Sequence, residues 1–501
     1  MKRGWGMLLH VSSLPNDYGI GGFGEECFAF IDFLAGAGAR YWQVLPLVPT
    51  GFGNSPYQSP AAGMLNPYFI SLPELAKRSL LTEGELSSAK RDWKYIDYGA
   101  LYRERFPLLK KAFSRFCGGT AFARWVKEGR AKDYALFMAL KEAHGGASFD
   151  CWDAPYKFAE PAALGTFAKE HENELLFWQW TQFEAEREWA AVKEYAGRKR
   201  VEIVGDLPIY AAYDSLEVWK NPQLFKLDKD LRPTMVAGVP PDYFSEDGQL
   251  WGNPVFDYLA HEREGFRWWA GRVANALRRF DYVRIDHFRG LDRYYEIPAG
   301  NPTARGGHWV SVPHEKLFSA IAKKADMRRI IAEDLGILDD GVHKLLEKTG
   351  FPGMSVLSFA FDGDPHNKYL PERIGKNSVC YTGTHDNRPL MGMLAAMNEE
   401  EKSAFNARVR ESMRKMKVRK KTDSDGALAG AVTELGFACR ADAFILPMQD
   451  AALLGDEYRM NEPSTDKAQN WSVRFERRRF RPALSCRLSA LAEKYKRKAK
   501  T

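Results

Sequence analysis

At 501 residues, with a net charge of +7 and no low-complexity tract, the chain is long enough to bury a large core. So mild a charge argues against a dedicated nucleic-acid or membrane-surface binder, and no apolar stretch reaches the ~18 residues a membrane span needs. Six scattered cysteines (Cys27, Cys117, Cys151, Cys380, Cys439, Cys486) form no C-x-x-C pair, which points to reduced thiols in a cytoplasm; the first residues lack a leader's cleavage pattern.

Short apolar runs that read as buried strands occur at Trp5–His10, Tyr41–Leu47, Val201–Tyr210, Tyr282–Phe288, Arg329–Leu335, Met354–Phe361, Ser378–Thr384 and Ala443–Met448. Segments of helical spacing lie between them, such as Glu25–Ala37 and Phe266–Arg279. Eight strands alternating with helices predict an α/β fold of the (β/α)8 barrel type rather than a doubly wound sheet. The spacing is uneven. Residues 66–170 read as a helical insertion between strands two and three, with a capping box at Thr82-Glu-Gly-Glu85, and 171–197 as the barrel helix leading into strand three. Residues 211–265, rich in Pro, Gly, Asp and aromatics, read as an ordered loop region. Residues 387–442 contain a charged helical piece at Glu399–Lys421. The expectation is one catalytic domain over 1–501 carrying these three insertions, with no separate C-terminal β-sandwich. The basic tail, Arg477-Arg-Arg-Phe-Arg481 and Lys494-Tyr-Lys-Arg-Lys-Ala-Lys500, reads as a solvated helical face and a frayed terminus.

Acidic residues recur at the predicted strand ends. Asp206 closes strand three, Asp286-His287 strand four, Glu333-Asp334 strand five, and His385-Asp386 follows strand seven. In a barrel these ends converge on one mouth. Like charges gathered there raise at least one carboxyl pKa, so that an acid stays protonated near neutrality beside an ionised one. That pair is the equipment of glycosidic-bond chemistry. Aromatic residues in Gly/Pro loops (Phe52-Gly-Asn-Ser-Pro-Tyr57, Gln249-Leu-Trp-Gly-Asn-Pro254, Asn470-Trp471) suit sugar faces. Gly19-Ile-Gly-Gly-Phe-Gly24 matches a dinucleotide fingerprint but stands away from its strand and lacks the following acid, so no nucleotide is expected. The His-Asp pairs lack zinc-site spacing, so neither metal nor cofactor is expected.

Val283-Arg-Ile-Asp-His-Phe-Arg-Gly290, Ala332-Glu-Asp-Leu-Gly336 and Thr384-His-Asp-Asn387 resemble the catalytic blocks of the 4-α-glucanotransferases, also called amylomaltases or disproportionating enzymes. So do His10-Val-Ser-Ser-Leu-Pro15, Gly53-Asn-Ser-Pro-Tyr-Gln58, Gly205-Asp-Leu-Pro-Ile-Tyr210 and Gln249-Leu-Trp-Gly-Asn-Pro254. The resemblance implies that Asp286 is the nucleophile of a covalent glucosyl-enzyme, that Glu333 is the acid and then the base, and that Asp386 holds the 2- and 3-hydroxyls of the distorted sugar. Arg284 would keep Asp286 ionised. His287, His385 and Asp206 would bind the same sugar, with Tyr57, Ser55, Gln249 and Trp251 at neighbouring subsites and Asn461 beside them. The substrates so implied are α-1,4-glucans and maltooligosaccharides, without nucleic acid or membrane, in a monomer or homodimer. The chain departs from the family's pattern at Arg388-Pro389, where Asp-Thr is usual, at Phe52 in place of a tyrosine, and at Ser464 in place of a glycine. The closest rival is an α-1,4-glucan hydrolase using the same carboxylates; a rival of another class is a non-catalytic glucan-binding or regulatory protein on the same fold, against which the presence of Asp286, Glu333 and Asp386 together argues.

Overall fold

In the computed structural model, residues 1–241, 246–336 and 338–499 are described. Eight parallel strands form the centre: β1 (Gly4–Leu8), β2 (Tyr41–Gln43), β3 (Glu202–Leu207), β4 (Tyr282–Ile285), β5 (Ile330–Ala332), β6 (Gly353–Val356), β7 (Ser378–Tyr381) and β8 (Ala443–Pro447). They pair in the order β6-β7-β8-β1-β2-β3-β4-β5. All eight overlap the apolar runs, because helices cover the outer face and the strands are buried on both sides, apart from Gly353–Val356, where every second residue is half-buried.

The remaining gap, between β5 and β6, is bridged by backbone and by an acid. Ala332 N donates to Pro352 O at 3.0 Å. Asp334 Oδ1 accepts from Met354 N at 2.5 Å. Gly353 makes room for this, since a Cβ there would stand 2.5 Å from Asp334 Oδ2. Asp334 therefore seals the barrel rather than facing the cleft with the other strand-end acids.

Helices fill much of the 66–170 stretch, and the Thr82 capping box forms with Glu85. The 27-residue helix Glu172–Arg198 then buries Phe177, Trp178, Trp180 and Trp189 and leads into β3. The 211–265 stretch holds more regular structure than its loop-like composition suggests. Met235–Val239 and Gln249–Pro254 pair there and join Arg293–Pro298 and His308–Ser311 in a four-stranded antiparallel sheet. Residues 242–245 of that stretch lie outside the described residues, as does Lys500 of the basic tail.

The tail corrects the sequence reading. Its helix, Pro482–Lys494, is followed by Arg497, which is fully buried. Arg497 donates to Phe437 O (2.7 Å), Gly4 O (2.8 Å) and Cys439 O (2.8 Å), tying the C-terminus to the start of β1. A guanidinium fork can serve several carbonyls at once, which offsets its burial without a carboxylate. Among the described residues, no helix is long and apolar enough to cross a membrane.

Candidate active site

The C-terminal ends of β3, β4, β5 and β7 bring the acidic motifs together at one mouth. Arg284 lies within β4, where alternation turns its side chain inward, and it is 4 % exposed. Its Nη1 donates to both oxygens of Asp206, at 2.7 and 2.8 Å, and its Nη2 donates to Asp286 Oδ1 at 2.8 Å. One guanidinium thus serves two acids from neighbouring strands. Tyr57 OH donates to Asp206 Oδ2 at 2.6 Å. Burial and the nearby Asp206 push the Tyr57 phenol well above its usual range, so it stays a donor.

Two opposing influences act on the charge of Asp286. Burial raises the Asp286 pKa, and Arg284 opposes that rise without cancelling it. Arg284 is itself held in its charged form: burial works against the charge, and Asp206 and Asp286 more than compensate. Glu333 follows β5, and among the described residues its carboxyl receives only backbone donors, His287 N at 2.6 Å on Oε2 and Leu335 N at 3.0 Å on Oε1. Burial, with Asp286 adding to it and Arg284 opposing, pushes Glu333 up to about 7. A carboxyl with that pKa can give and take a proton near neutrality.

Asp386 sits on the loop after β7. Its Oδ1 accepts from Asn461 Nδ2 at 2.6 Å and lies 3.4 Å from His385 Nε2. Arg459 Nη2 donates to the Asp386 carbonyl at 2.9 Å. His385 stacks on Tyr57 with ring centres 5.3 Å apart and planes 12° from parallel. Trp471 packs on both rings, at 5.5 and 5.7 Å.

His287 adopts φ +49°, in the left-handed region, directly after the strand. Burial, reinforced by Arg289, pushes its pKa down to about 4, so the ring is neutral at neutral pH. Its buried Nε2 has no hydrogen-bond partner among the described residues. The antiparallel sheet delivers Trp251, which meets the His287 ring edge-on at 4.8 Å and donates to Gln249 Oε1 at 3.1 Å. Ser55 Oγ accepts from Tyr57 N at 3.2 Å, so this hydroxyl shapes the turn that carries Tyr57.

The structure therefore joins Asp206, Arg284, Asp286, Tyr57, His385, Asp386 and Asn461 in one chain of contacts. Glu333 and His287 stand across from it, with Trp251 and Gln249 beside them. Sequence reasoning marked Trp471 as a loop aromatic suited to a sugar face, without placing it beside Tyr57 and His385, and missed Arg459, which carried no local signal. The glycine-rich 19–24 stretch is a packing device. Gly21 N and Gly22 N are spent on Ser12 O (2.9 Å) and Glu26 Oε1 (2.8 Å), which leaves those amides no phosphate to cradle. Of the departures from the family's pattern, Arg388 pairs with Asp456 at 3.4 Å, and Phe52 is 81 % exposed.

A parallel eight-stranded barrel with a shared arginine and clustered acids at the C-terminal mouth defines a carbohydrate-active barrel enzyme. Comparison with known proteins narrows this further. The chain belongs to the 4-alpha-glucanotransferase family, whose model matches residues 9–479. It is 43% identical over 504 residues to the 4-alpha-glucanotransferase of Thermus thermophilus, covering 98% of this chain and 99% of that one. To the 4-alpha-glucanotransferase of Clostridium butyricum it is 39% identical over 496 residues, covering 98% and 100%. Among solved structures, the amylomaltase from Streptococcus agalactiae in complex with acarbose superposes with a TM-score of 0.93 at 35% identity, covering 99% of this chain and 100% of that one.

Proposed function

We propose that this chain transfers α-1,4-glucan segments from a donor maltooligosaccharide, starch or glycogen-type glucan to another glucan or to glucose, by a retaining double displacement. The observation that carries the mechanism is the division of labour between two acids. Asp286 accepts a hydrogen bond from Arg284, whereas Glu333, which no cation contacts among the described residues, is pushed up to about 7 by burial. In the first displacement the Asp286 carboxylate attacks the anomeric carbon while protonated Glu333 gives its proton to the departing 4-oxygen. In the second, Glu333 takes the proton of the incoming 4-hydroxyl, which displaces Asp286 and restores the original anomeric configuration.

Asp386 holds the 2- and 3-hydroxyls of the distorted sugar. Asp206, His287 and His385 take hydroxyls of the same ring, and the unpartnered Nε2 of His287 supports that assignment. Tyr57, Ser55, Gln249, Trp251 and Asn461 line neighbouring subsites. The whole chain acts as one catalytic domain, with 66–170, 211–265 and 387–442 as insertions around the barrel. The six free cysteines support a cytoplasmic location.

Incubation with maltotriose tests the reading. Transfer yields glucose and a ladder of longer glucans. A monotonic decline to shorter sugars would instead mark a hydrolase, and unaltered maltotriose a binding protein.

A further inference from the structure

One more acid lies close behind the site without facing the cleft. Asp450 stands three residues past the end of β8, 3 % exposed. Among the described residues its side chain has two hydrogen-bond partners and no cation. Its Oδ2 accepts from Thr382 Oγ1 at 2.6 Å, and its Oδ1 accepts from Leu390 N at 2.7 Å. A buried carboxylate without a cation is costly, so its two bonds deserve a physical reason.

The partners lie at the two ends of one segment. Thr382 is the first residue beyond β7, and the Leu390 amide opens the helix Leu390–Ala396, whose preceding Pro389 offers no side-chain acceptor. Between them run His385 and Asp386. The middle of the segment is fixed by Asn387 Oδ1, which accepts from Thr384 N and Thr384 Oγ1 at 2.8 and 2.9 Å. Its outer side is held by Arg459 and by Asn461, whose amide N donates to His385 O at 3.1 Å. Each of these clamps except Asn387 comes from the chain after β8. Asp450 is the one that grips both ends.

We propose that Asp450 is a positioning residue for Asp386: by accepting from Thr382 and Leu390 it fixes the length and tilt of the 382–390 segment, and so the place where the Asp386 carboxylate meets the sugar. The inference rests on the reading of Asp386 as a group that holds the distorted sugar. A carboxylate suits the task because each oxygen takes one charge-assisted bond, stronger than its neutral counterpart. A side chain that never touches substrate acts here through geometry, and a displacement of about 1 Å at a reacting group is worth ~10²-fold in rate.

Four variants and a control decide it, each checked by circular dichroism for an intact fold, with kcat and KM taken from glucose release on maltotriose. Asp450→Ala should lower kcat about 10²-fold while KM moves less than about threefold. Asp450→Asn should recover most of the loss, because its carbonyl can accept from Leu390 N while its amide donates to the Thr382 hydroxyl. Thr382→Val, which removes one donor at constant shape, should lower kcat about tenfold, and Thr382→Ser should restore it. If Asp450→Ala does not fold, the Thr382 pair carries the test alone. Wild-type kcat in folded Asp450→Ala or Thr382→Val would overturn the inference, as would a raised KM with kcat unchanged. Asp386→Asn separates the two readings. Activity in that variant would remove the role given to Asp386, whereas an inactive Asp386→Asn beside an unaffected Thr382→Val would remove the role given to Asp450.

Discussion

Replacing Arg284 by Ala probes the charge on which the first displacement depends. The guanidinium is 4 % exposed and bonds both Asp206 and Asp286, so its loss leaves two acids in a buried cleft without a cation. Unit charges about 4 Å apart attract by about 4 kcal/mol at an effective dielectric of 20, close to a thousandfold in the ionisation equilibrium of Asp286. The Asp286 side chain is 27 % exposed, and solvent screening trims this to about a hundredfold. Because burial already raises Asp286, the lost opposition displaces its ionisation further upward. We expect kcat/KM for maltotriose to fall about a hundredfold below neutrality and to recover in part as the pH rises, with the acid limb of the profile displaced upward. Arg284→Lys should fall between, since one ammonium does not reproduce a fork that serves two carboxylates. The assay is glucose release across the acid and neutral range, with melting curves to establish that each variant folds. A folded Arg284→Ala whose acid limb coincides with that of the wild type would refute the coupling of these groups.

In the wild type, the basic limb of kcat/KM should fall near pH 7, where Glu333 loses its proton, and titration by maltotriose turnover checks it. Glu333→Gln should lose about 10²–10⁴-fold on maltotriose, yet with an α-maltosyl fluoride, whose leaving group needs no proton, it should accumulate a maltosyl-enzyme visible by intact mass; no adduct would sink the assignment. Glu188 is pushed up to about 8 by burial, so the folded state binds its proton more tightly than the unfolded one. Its contribution to stability is therefore complete below about pH 4.5 and is lost as the pH rises through about 8, on the order of 4 kcal/mol over that window. The urea midpoint of the wild type should fall relative to that of Glu188→Gln as the pH rises from about 4.5 to about 8, and parallel curves for the two proteins would count against it. Ser464 keeps φ +60° where the family's pattern has glycine, so Ser464→Gly should raise the urea-unfolding free energy by about 1 kcal/mol.

The barrel strands were legible because burial on both faces writes them as unbroken apolar runs. Their ends were less so. The run Tyr41–Leu47 continues beyond the paired residues Tyr41–Gln43: Val44 N still donates to Val204 O at 2.9 Å, and Leu45 and Leu47 are buried beyond it. The antiparallel sheet escaped notice for the opposite reason. Gln249–Pro254 mixes exposed and buried positions and carries Gly252 at φ +77°, and its partner strand Met235–Val239 contains a register shift. Such strands look like loops until their neighbours are known. The acids at the mouth were legible as a set, because a strand end fixes where a side chain goes. Asp450 and Arg459 were not, because their partners lie on other strands' loops and no spacing in the chain announces them. Asp334 shows the limit from the other side: it occupies a strand end beside Glu333 but faces β6, one residue's alternation separating a cleft group from a seam.

That alternation also explains why one acid and not another keeps the proton. Arg284 offers one fork, and its two ends are taken by Asp206 and Asp286. Asp386, on a loop and 42 % exposed, relies on Asn461, His385 and solvent. Glu333 is left with two backbone amides in a buried place, which favour its ionised form but do not outweigh its burial beside Asp286. Among the described residues no cation contacts Glu333 directly, and burial, with Asp286 adding to it, pushes its pKa up to about 7 in spite of Arg284. A second cation brought within reach of Glu333 would lower its pKa and take away its competence as an acid, however well the sugar were still bound. The proposed reaction thus depends as much on Glu333 having no cation in contact among the described residues as on Asp286 having one.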